Sequence, residues 1–403
     1  MSAPFADRVR ACKRHLERRD ADAVVLFPSP NTTYLTGFDE TPSERVLFGL
    51  VSRTADPTIV APELYAGALE ESWVDDVRLW GDATDPWELV DTALTDHGVR
   101  RQEPPAERSR PAPGGEAGDR ARRREATLLV DDTMWAAFTE PLRALRPNAT
   151  VELASSVVGA LRARKDASEC EALRRAGAIA DRIAVEVRER GSTVVGTSER
   201  DLAREIDRLL EEAGGTAPAF ETIVASGPNG ARPHHRPGDR RIEAGEPVVL
   251  DFGAFVPATY DVGVGYYPGD QTRTIVFDGE PSAKARRVHE VVRRAQQAAV
   301  DIVEPGVTAG EVDHAARTVI DEAGYGDAFV HRTGHGVGLE VHEPPYIVAG
   351  NDRELEAGMV FSVEPGIYLE GEFGVRLEDL VLVTDDGCER INESPRGLLA
   401  NGS

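Results

Sequence analysis

Five segments in the C-terminal half of the chain set an ionisable residue inside or against an apolar run. Asp251 ends Pro-Val-Val-Leu and is followed by Phe-Gly-Ala. Asp270 opens Asp-Gln-Thr-Arg-Thr-Ile-Val-Phe. Glu364 closes Val-Phe-Ser-Val, Glu378 lies within Val-Arg-Leu-Glu-Asp-Leu-Val-Leu-Val, and His335 sits between glycines in Thr-Gly-His-Gly-Val-Gly-Leu. Short apolar runs of this kind read as buried strands. A carboxylate carried into such surroundings is costly unless it is paired or metal-bound. Singly, an Asp at a strand end is a turn or cap residue, a Glu in a strand faces solvent, and a His between glycines is a loop residue. Together, four converging carboxylates would repel one another unless about two divalent cations neutralised them. An oxygen-rich set with one imidazole suits Mn, Co, Fe or Zn at a hydrolytic site, rather than the sulfur ligation of structural zinc.

The rest of the chain divides around these segments. Residues 5–19 predict a helix, with Phe5, Val9, Cys12 and Leu16 at helical spacing. Strands are expected at 23–27, 46–52, 57–61 and 127–130, with a turn at 28–31 and residues 33–38 leading into the second strand. This alternation suggests a smaller α/β domain over 1–154. Residues 100–125 are rich in Pro, Gly and charge and poor in apolar side chains, so a flexible insertion is expected there. From 155 to 403 helices and strands come in groups, which predicts an α+β domain. Helices are expected over 165–190 (capped by Asp166 or Ser168), 198–213, 281–303 and 308–323. Strands are expected at 247–254, 272–277, 360–363, 366–369 and 377–383.

Composition narrows the setting. Net charge is −24, and only Lys13, Lys165 and Lys284 are lysines among 46 basic residues. Self-repulsion of that size is screened within about 3 Å at 1 M salt, which points to a surface adapted to high salt. It also argues against nucleic-acid binding, which needs a basic patch. No apolar stretch approaches a membrane span, and the charged N-terminus lacks the apolar core of a secretory signal. Cys12, Cys170 and Cys388 form no paired framework, so a reducing, cytoplasmic setting is expected.

The motifs carry a resemblance. Ala-Ser-Gly-Pro-Asn-Gly-Ala-Arg-Pro-His (225–234), Gly-Asp-Gln-Thr-Arg-Thr, Gly-His-Gly-Val-Gly-Leu-Glu-Val-His-Glu, Ser-Val-Glu-Pro-Gly-Ile-Tyr and Gly-Val-Arg-Leu-Glu-Asp resemble, in order, those of the pita-bread metallopeptidases. These are the methionyl aminopeptidases, Xaa-Pro aminopeptidases and Xaa-Pro dipeptidases. Leu-Phe-Pro-Ser-Pro-Asn-Thr-Thr-Tyr-Leu-Thr-Gly-Phe (26–38) resembles the creatinase/prolidase-type N-terminal domain, which methionyl aminopeptidases lack. The resemblance implies a pita-bread catalytic domain holding two divalent ions, manganese favoured, on Asp251, Asp270, His335, Glu364 and Glu378, with Asp270 and Glu378 bridging. It implies Glu364 as general base, His234 and His342 beside the scissile carbonyl, His331 in the substrate pocket and Arg376 orienting a carboxylate. His235 has no counterpart and reads as structural. Asp251 and Asp270 lie 19 positions apart, wider than the family pattern, so an enlarged hairpin loop is expected between them. Asp261 is the rival first ligand by spacing, but the apolar strand and Gly-Ala after Asp251 match the family.

The N-terminal domain favours the Xaa-Pro branch. Where some dipeptidases place an arginine that grips a free carboxylate, this chain has Tyr346. The expectation is therefore an Xaa-Pro aminopeptidase acting on peptides with proline at the second position, with Tyr346 in the substrate site. The alternative is an Xaa-Pro dipeptidase (prolidase) whose clamp comes from Arg232 or the insertion arginines. A non-catalytic binding module on the same fold is a further alternative. The resemblance also suggests a homodimer.

Overall fold

The computed structural model describes residues 4–101 and 125–400. The insertion expected at 100–125 falls almost wholly outside the described residues. Two compact units are present. One comprises the chain to Arg162 together with Tyr260–Gly265; the other comprises Ala163–Thr259 and the chain from Tyr266 onward.

The first unit is built on a six-stranded sheet of β1 (Ala23–Leu26), β2 (Phe48–Ser52), β3 (Thr58–Pro62), β4 (Asp76–Trp80), β5 (Thr127–Val130) and β6 (Thr150–Leu153), in the order β4-β3-β2-β1-β5-β6. β1 is central, antiparallel to β2 and parallel to β5. Its run of Ala-Val-Val-Leu is wholly buried because both faces are covered. The helix Pro4–Arg19 buries Phe5, Val9, Cys12 and Leu16, the positions its spacing predicts. The segment read as a turn leading to a strand is instead a helix, Pro30–Thr36. Ser29 caps it by accepting from the Asn31 N–H, Pro30 opens it without needing a donor, and Gly37 closes it at φ 68° with its N–H on the Thr33 carbonyl. The unit runs on through Arg162, past residue 154, because Arg162 donates to Asn31.

The second unit contains β7 (Ala217–Pro218), β8 (Ile223–Ser226), β9 (Val248–Phe252), β10 (Ala254–Pro257), β11 (Tyr266–Pro268), β12 (Gln271–Ile275), β13 (Gly334–Gly336), β14 (Glu343–Ile347), β15 (Val360–Val363), β16 (Gly366–Leu369), β17 (Phe373–Arg376), β18 (Asp379–Val383) and β19 (Cys388–Arg390). They form sheets ordered β12-β9-β8, β11-β10-β7, β14-β13-β15-β18-β19 and β16-β17. Helix pairs supply the apolar cover. Ala167–Glu189, opened by an Asp166–Glu169 capping box, packs with Glu199–Glu212 over Val248, Leu250, Phe252 and Ile275. Ala283–Asp301 and Ala309–Glu322 pack over Phe361, Val363, Ile367, Val375 and Val381.

One ladder resolves the spacing of the two aspartates. β9 pairs with β12 from Val248↔Ile275 through Asp251↔Thr272, and β10 continues against β11 in the same register to Pro257↔Tyr266. The extra residues thus lengthen a hairpin, and Asp251 stays opposite Thr272, two residues from Asp270. Strand alternation turns all three side chains to one face. Gly253 is required where the ladder passes Asp270, since a Cβ there would lie 1.8 Å from the Gly269 carbonyl oxygen.

Candidate metal centre

The site is assembled where the β9–β12 ladder meets the β13–β15–β18 sheet. β9 and the start of β12 present Asp251 and Asp270, β13 presents His335, Glu364 follows the end of β15, and Glu378 precedes β18. The backbone N–H of Glu378 donates to the Thr272 carbonyl at 3.1 Å, and that of Glu364 to the Thr333 carbonyl at 2.8 Å, so the carboxylates are fixed by the main chain. One ligand atom each from Asp270, His335 and Glu378 lie within 4.8 Å of one another. His335 Nε2 is 3.6 Å from Asp270 Oδ2 and 3.3 Å from Glu364 Oε1. Its Nδ1 faces the Gly336 carbonyl at 3.2 Å. A carbonyl only accepts, so Nδ1 carries the proton and the Nε2 lone pair faces the carboxylates. The glycines beside His335 are steric: a Cβ on Gly334 would sit 1.8 Å from the Ser362 carbonyl oxygen.

Charge in this cluster is unbalanced. Burial, followed by repulsion from neighbouring carboxylates, pushes Asp270 and Glu378 well above the usual carboxylate range. Burial raises Glu364 to about 7, although Arg376 pulls the other way. Burial lowers His335 to about 3, with His342 adding to the effect, so its imidazole is neutral. Arg376 is the guanidinium set among these groups. It donates to Asp251 Oδ2 (2.6 Å), Thr272 Oγ1 (3.0 Å) and Tyr368 OH (3.0 Å), and Thr272 in turn donates to Glu378 Oε2 at 2.7 Å. Burial opposes the Arg376 charge, yet Tyr368 and the carboxylates hold its pKa above the ordinary value. Asp251 Oδ1 is buried with no hydrogen-bond partner among the described residues. An orphaned carboxylate oxygen, a neutral imidazole with its lone pair inward and carboxylates in excess of cations fit divalent metal.

A cavity of about 680 Å³ opens over the cluster, and all five expected ligands line it. So do His234, His331, His342 and Arg376. The His342 ring meets the His335 ring edge to face at 4.1 Å. Its loop is anchored by Glu343, paired with the buried Lys165. His331 Nε2 is 2.8 Å from Tyr368 OH. His235 lines the cavity too, with Nε2 2.8 Å from Glu199 Oε2. Glu199 is fully buried and also accepts from Ser226 and Asn229, which pins the loop carrying His234. Tyr346 does not line the cavity; it lies 37% exposed with Arg332 against its ring. Asp261 is exposed and belongs to the first unit. Sequence reasoning missed Thr272, Tyr368, Arg332 and Glu199. Thr272 and Tyr368 stand within the quoted motifs and Arg332 just before one, so these three were readable as polar residues near ligand candidates, whereas Glu199 on a helix start gave no signal.

Comparison with known proteins identifies the family. Residues 171–385 match the model for metallopeptidase family M24, and residues 8–105 match the creatinase/prolidase N-terminal domain. The chain is 40% identical over 380 residues to the probable dipeptidase PepE of Mycobacterium tuberculosis, covering 93% of this chain and 91% of that one. It is 37% identical to the Xaa-Pro dipeptidase of Lactobacillus helveticus, covering 93% and 94%. The crystal structure of prolidase from Thermococcus sibiricus superposes with a TM-score of 0.83 at 36% identity, covering 99% of this chain and all of that one. The fold is thus the pita-bread catalytic fold with a creatinase-like N-terminal unit. Among the described residues no helix is long and apolar enough to cross a membrane.

Proposed function

The chain belongs to metallopeptidase family M24, and from that premise we propose that it is an Xaa-Pro dipeptidase working with two divalent ions, manganese favoured. The observation that carries the hydrolytic reading is the Asp270–His335–Glu378 cluster at the floor of the cavity, with the orphaned Asp251 oxygen and Glu364 beside it. The aminopeptidase expectation rested on Tyr346. It gives way to the dipeptidase alternative because full-length relatives at 37–40% identity are named dipeptidases and because Tyr346 stands outside the cavity lining.

Asp251, Asp270, His335, Glu364 and Glu378 would hold the ions, which when bound supply an activated water and polarise the scissile carbonyl. Glu364, 3.3 Å from His335 Nε2 and lining the cavity, would take a proton from that water and return it to the leaving proline nitrogen. His234 and His342, which both line the cavity, are assigned to the carbonyl oxygen as negative charge develops there. Arg376 fixes the Asp251 carboxylate through one oxygen and leaves the other to the metal. His331 is assigned to the substrate wall.

The test compares Ala-Pro with Ala-Pro-Ala in about 2–4 M salt with added Mn or Co, a range suggested by the acidic surface. The expected result is metal-dependent cleavage of Ala-Pro alone, abolished by chelator and by Glu364→Ala. Cleavage of the tripeptide alone would restore the aminopeptidase reading. Cleavage of neither would remove the peptidase assignment.

A further inference from the structure

A dipeptidase must recognise the carboxylate that follows its proline, and the arginine sought for this at position 346 is replaced by tyrosine. The cavity contains three arginines among its lining residues: Arg236, Arg332 and Arg376. Two are occupied. Arg376 is bound to Asp251, and Arg236 lies 3.3 Å from Glu221. Arg332 forms no ion pair among the described residues. Arg232, the other clamp weighed from the sequence, is exposed and outside the lining.

Resting on the dipeptidase reading, we propose that Arg332 grips the C-terminal carboxylate of the substrate, and that Tyr346 is the platform that holds its guanidinium. Arg332 lies three residues before His335, and Tyr346 pairs with His335 across the β13–β14 ladder. Directly paired residues share a face of the sheet, so the ring stands on the side from which the His335 imidazole projects. The Arg332 guanidinium carbon is 4.5 Å from the centre of that ring. Contact with a ring uses the face of the guanidinium and leaves its in-plane N–H fork for an anion. A carboxylate matches that fork with two parallel hydrogen bonds. Tyrosine at 346 therefore relocates the clamp: the tyrosine supplies the surface and an arginine just before the neighbouring strand supplies the charge. Placement in the cavity that would hold the metal suits a dipeptide, whose carboxylate lies one residue, about 3.8 Å of chain, beyond the scissile bond. A longer peptide would bring a neutral amide to the guanidinium and lose the charge-assisted pair.

The experiment measures kcat and KM of the metal-loaded protein on Ala-Pro and on alanyl-prolinamide, which differ only at the carboxylate. Wild type, Arg332→Ala, Arg332→Lys and Tyr346→Phe are compared, with metal content and thermal unfolding confirming that each variant is folded. Wild type is expected to prefer Ala-Pro. Arg332→Ala should lose about 100-fold in kcat/KM on Ala-Pro, mainly through KM, the size expected for lost charge-assisted hydrogen bonds. It should change the amide by less than about threefold, so the preference collapses; Arg332→Lys should recover part of it, and Tyr346→Phe, which keeps the ring, nearly all. Equal losses on both substrates, or no loss on either, would overturn the assignment while leaving the dipeptidase reading intact. Wild type that cleaves the amide as well as Ala-Pro, or neither, would defeat the dipeptidase reading itself and the clamp with it. That failure is visible before any variant is made.

Discussion

Glu378 and Asp379 are neighbours in the chain, both buried, and they meet opposite electrostatic settings. Asp379 accepts from Arg273 at 2.7 Å and from Gln296 at 3.1 Å, and also pairs with Arg390. Arg273, itself 1% exposed, goes on to hold the carbonyls of Thr272, Glu378 and Ser394. Each of these ionic groups is paired with an opposite charge, although Arg273 Nε is itself buried without a hydrogen-bond partner among the described residues. Glu378 faces the cavity, where four carboxylates share Arg376 and one Asp251 oxygen has nothing. The difference separates structure from function within two residues. A matched buried network rigidifies the frame, whereas a mismatched one keeps its place in a folded protein only if something else supplies the charge.

Substitution at each of the two positions is the strongest way to break this comparison. Glu378→Gln should lower kcat/KM on Ala-Pro by about 1000-fold or more, beyond the 10–100-fold typical of groups that merely support a metal ligand. In chelated protein the same change should leave the melting temperature unchanged or raise it, because a repelling carboxylate is gone. Asp379→Asn should do the reverse to stability and cost about 3–5 kcal/mol, since Arg273 is left with buried, unmatched charge and the partly exposed Arg390 loses its carboxylate. Thermal unfolding with and without chelator, beside kinetics, reads both. Equal destabilisation by the two changes would erase the distinction.

The response to pH should differ by metal state. Glu364 has its carboxyl raised from 4.5 to about 7 by burial, and Asp270 and Glu378 move in the same direction. In metal-free protein the native state therefore holds protons that the unfolded chain releases. Its stability is full below about 4.5 and falls as pH rises toward about 7. Metal ligation deprotonates the same groups, so in metal-loaded protein stability should rise over that window. Melting temperatures of the two forms at about pH 5, 6 and 7 should change in opposite directions by a few degrees. Parallel curves would mean that these carboxyls are not what the metal displaces protons from.

This division explains what was legible in the sequence. The proposed ligands stood out because carboxylates interrupt apolar strands, and long helices stood out by their period. Ala167–Glu189 and Glu199–Glu212 came within a few residues of expectation. The helix Pro30–Thr36 was hidden because its Ser, Pro and Gly are equally turn residues, and only the cap geometry tells which they are. Tyr346 was read alone and Arg332 was not read at all, because their contact depends on strand register. His335↔Tyr346 pairing is a property of the ladder, with a register shift just after His335, and not of residue spacing. Glu199 acts at a distance of tens of residues on the His234 loop, which no local pattern encodes.

The smallest effect sharpens the comparison most. Tyr368 links Arg376 to the cavity wall, accepting a charge-assisted bond from the guanidinium and making a neutral one to His331. His331 Nδ1 faces the Arg332 carbonyl at 2.7 Å and so carries its proton, and burial lowers this histidine to about 4, leaving Nε2 an acceptor near neutral pH. Tyr368, its phenol raised by burial to about 12, then donates to His331 and accepts from Arg376. Tyr368→Phe removes one bond from each neighbour while Arg376 keeps Asp251 and Thr272. Activity on Ala-Pro should fall about tenfold, as for loss of one to two net hydrogen bonds, with metal content unchanged. A loss as deep as that of Glu378→Gln, accompanied by lost metal, would show that Arg376 is part of the charge balance that selects metal. A tenfold loss with full metal occupancy would confine Arg376 to aiming Asp251, and would leave the carboxylate excess alone to define the functional side of the strand.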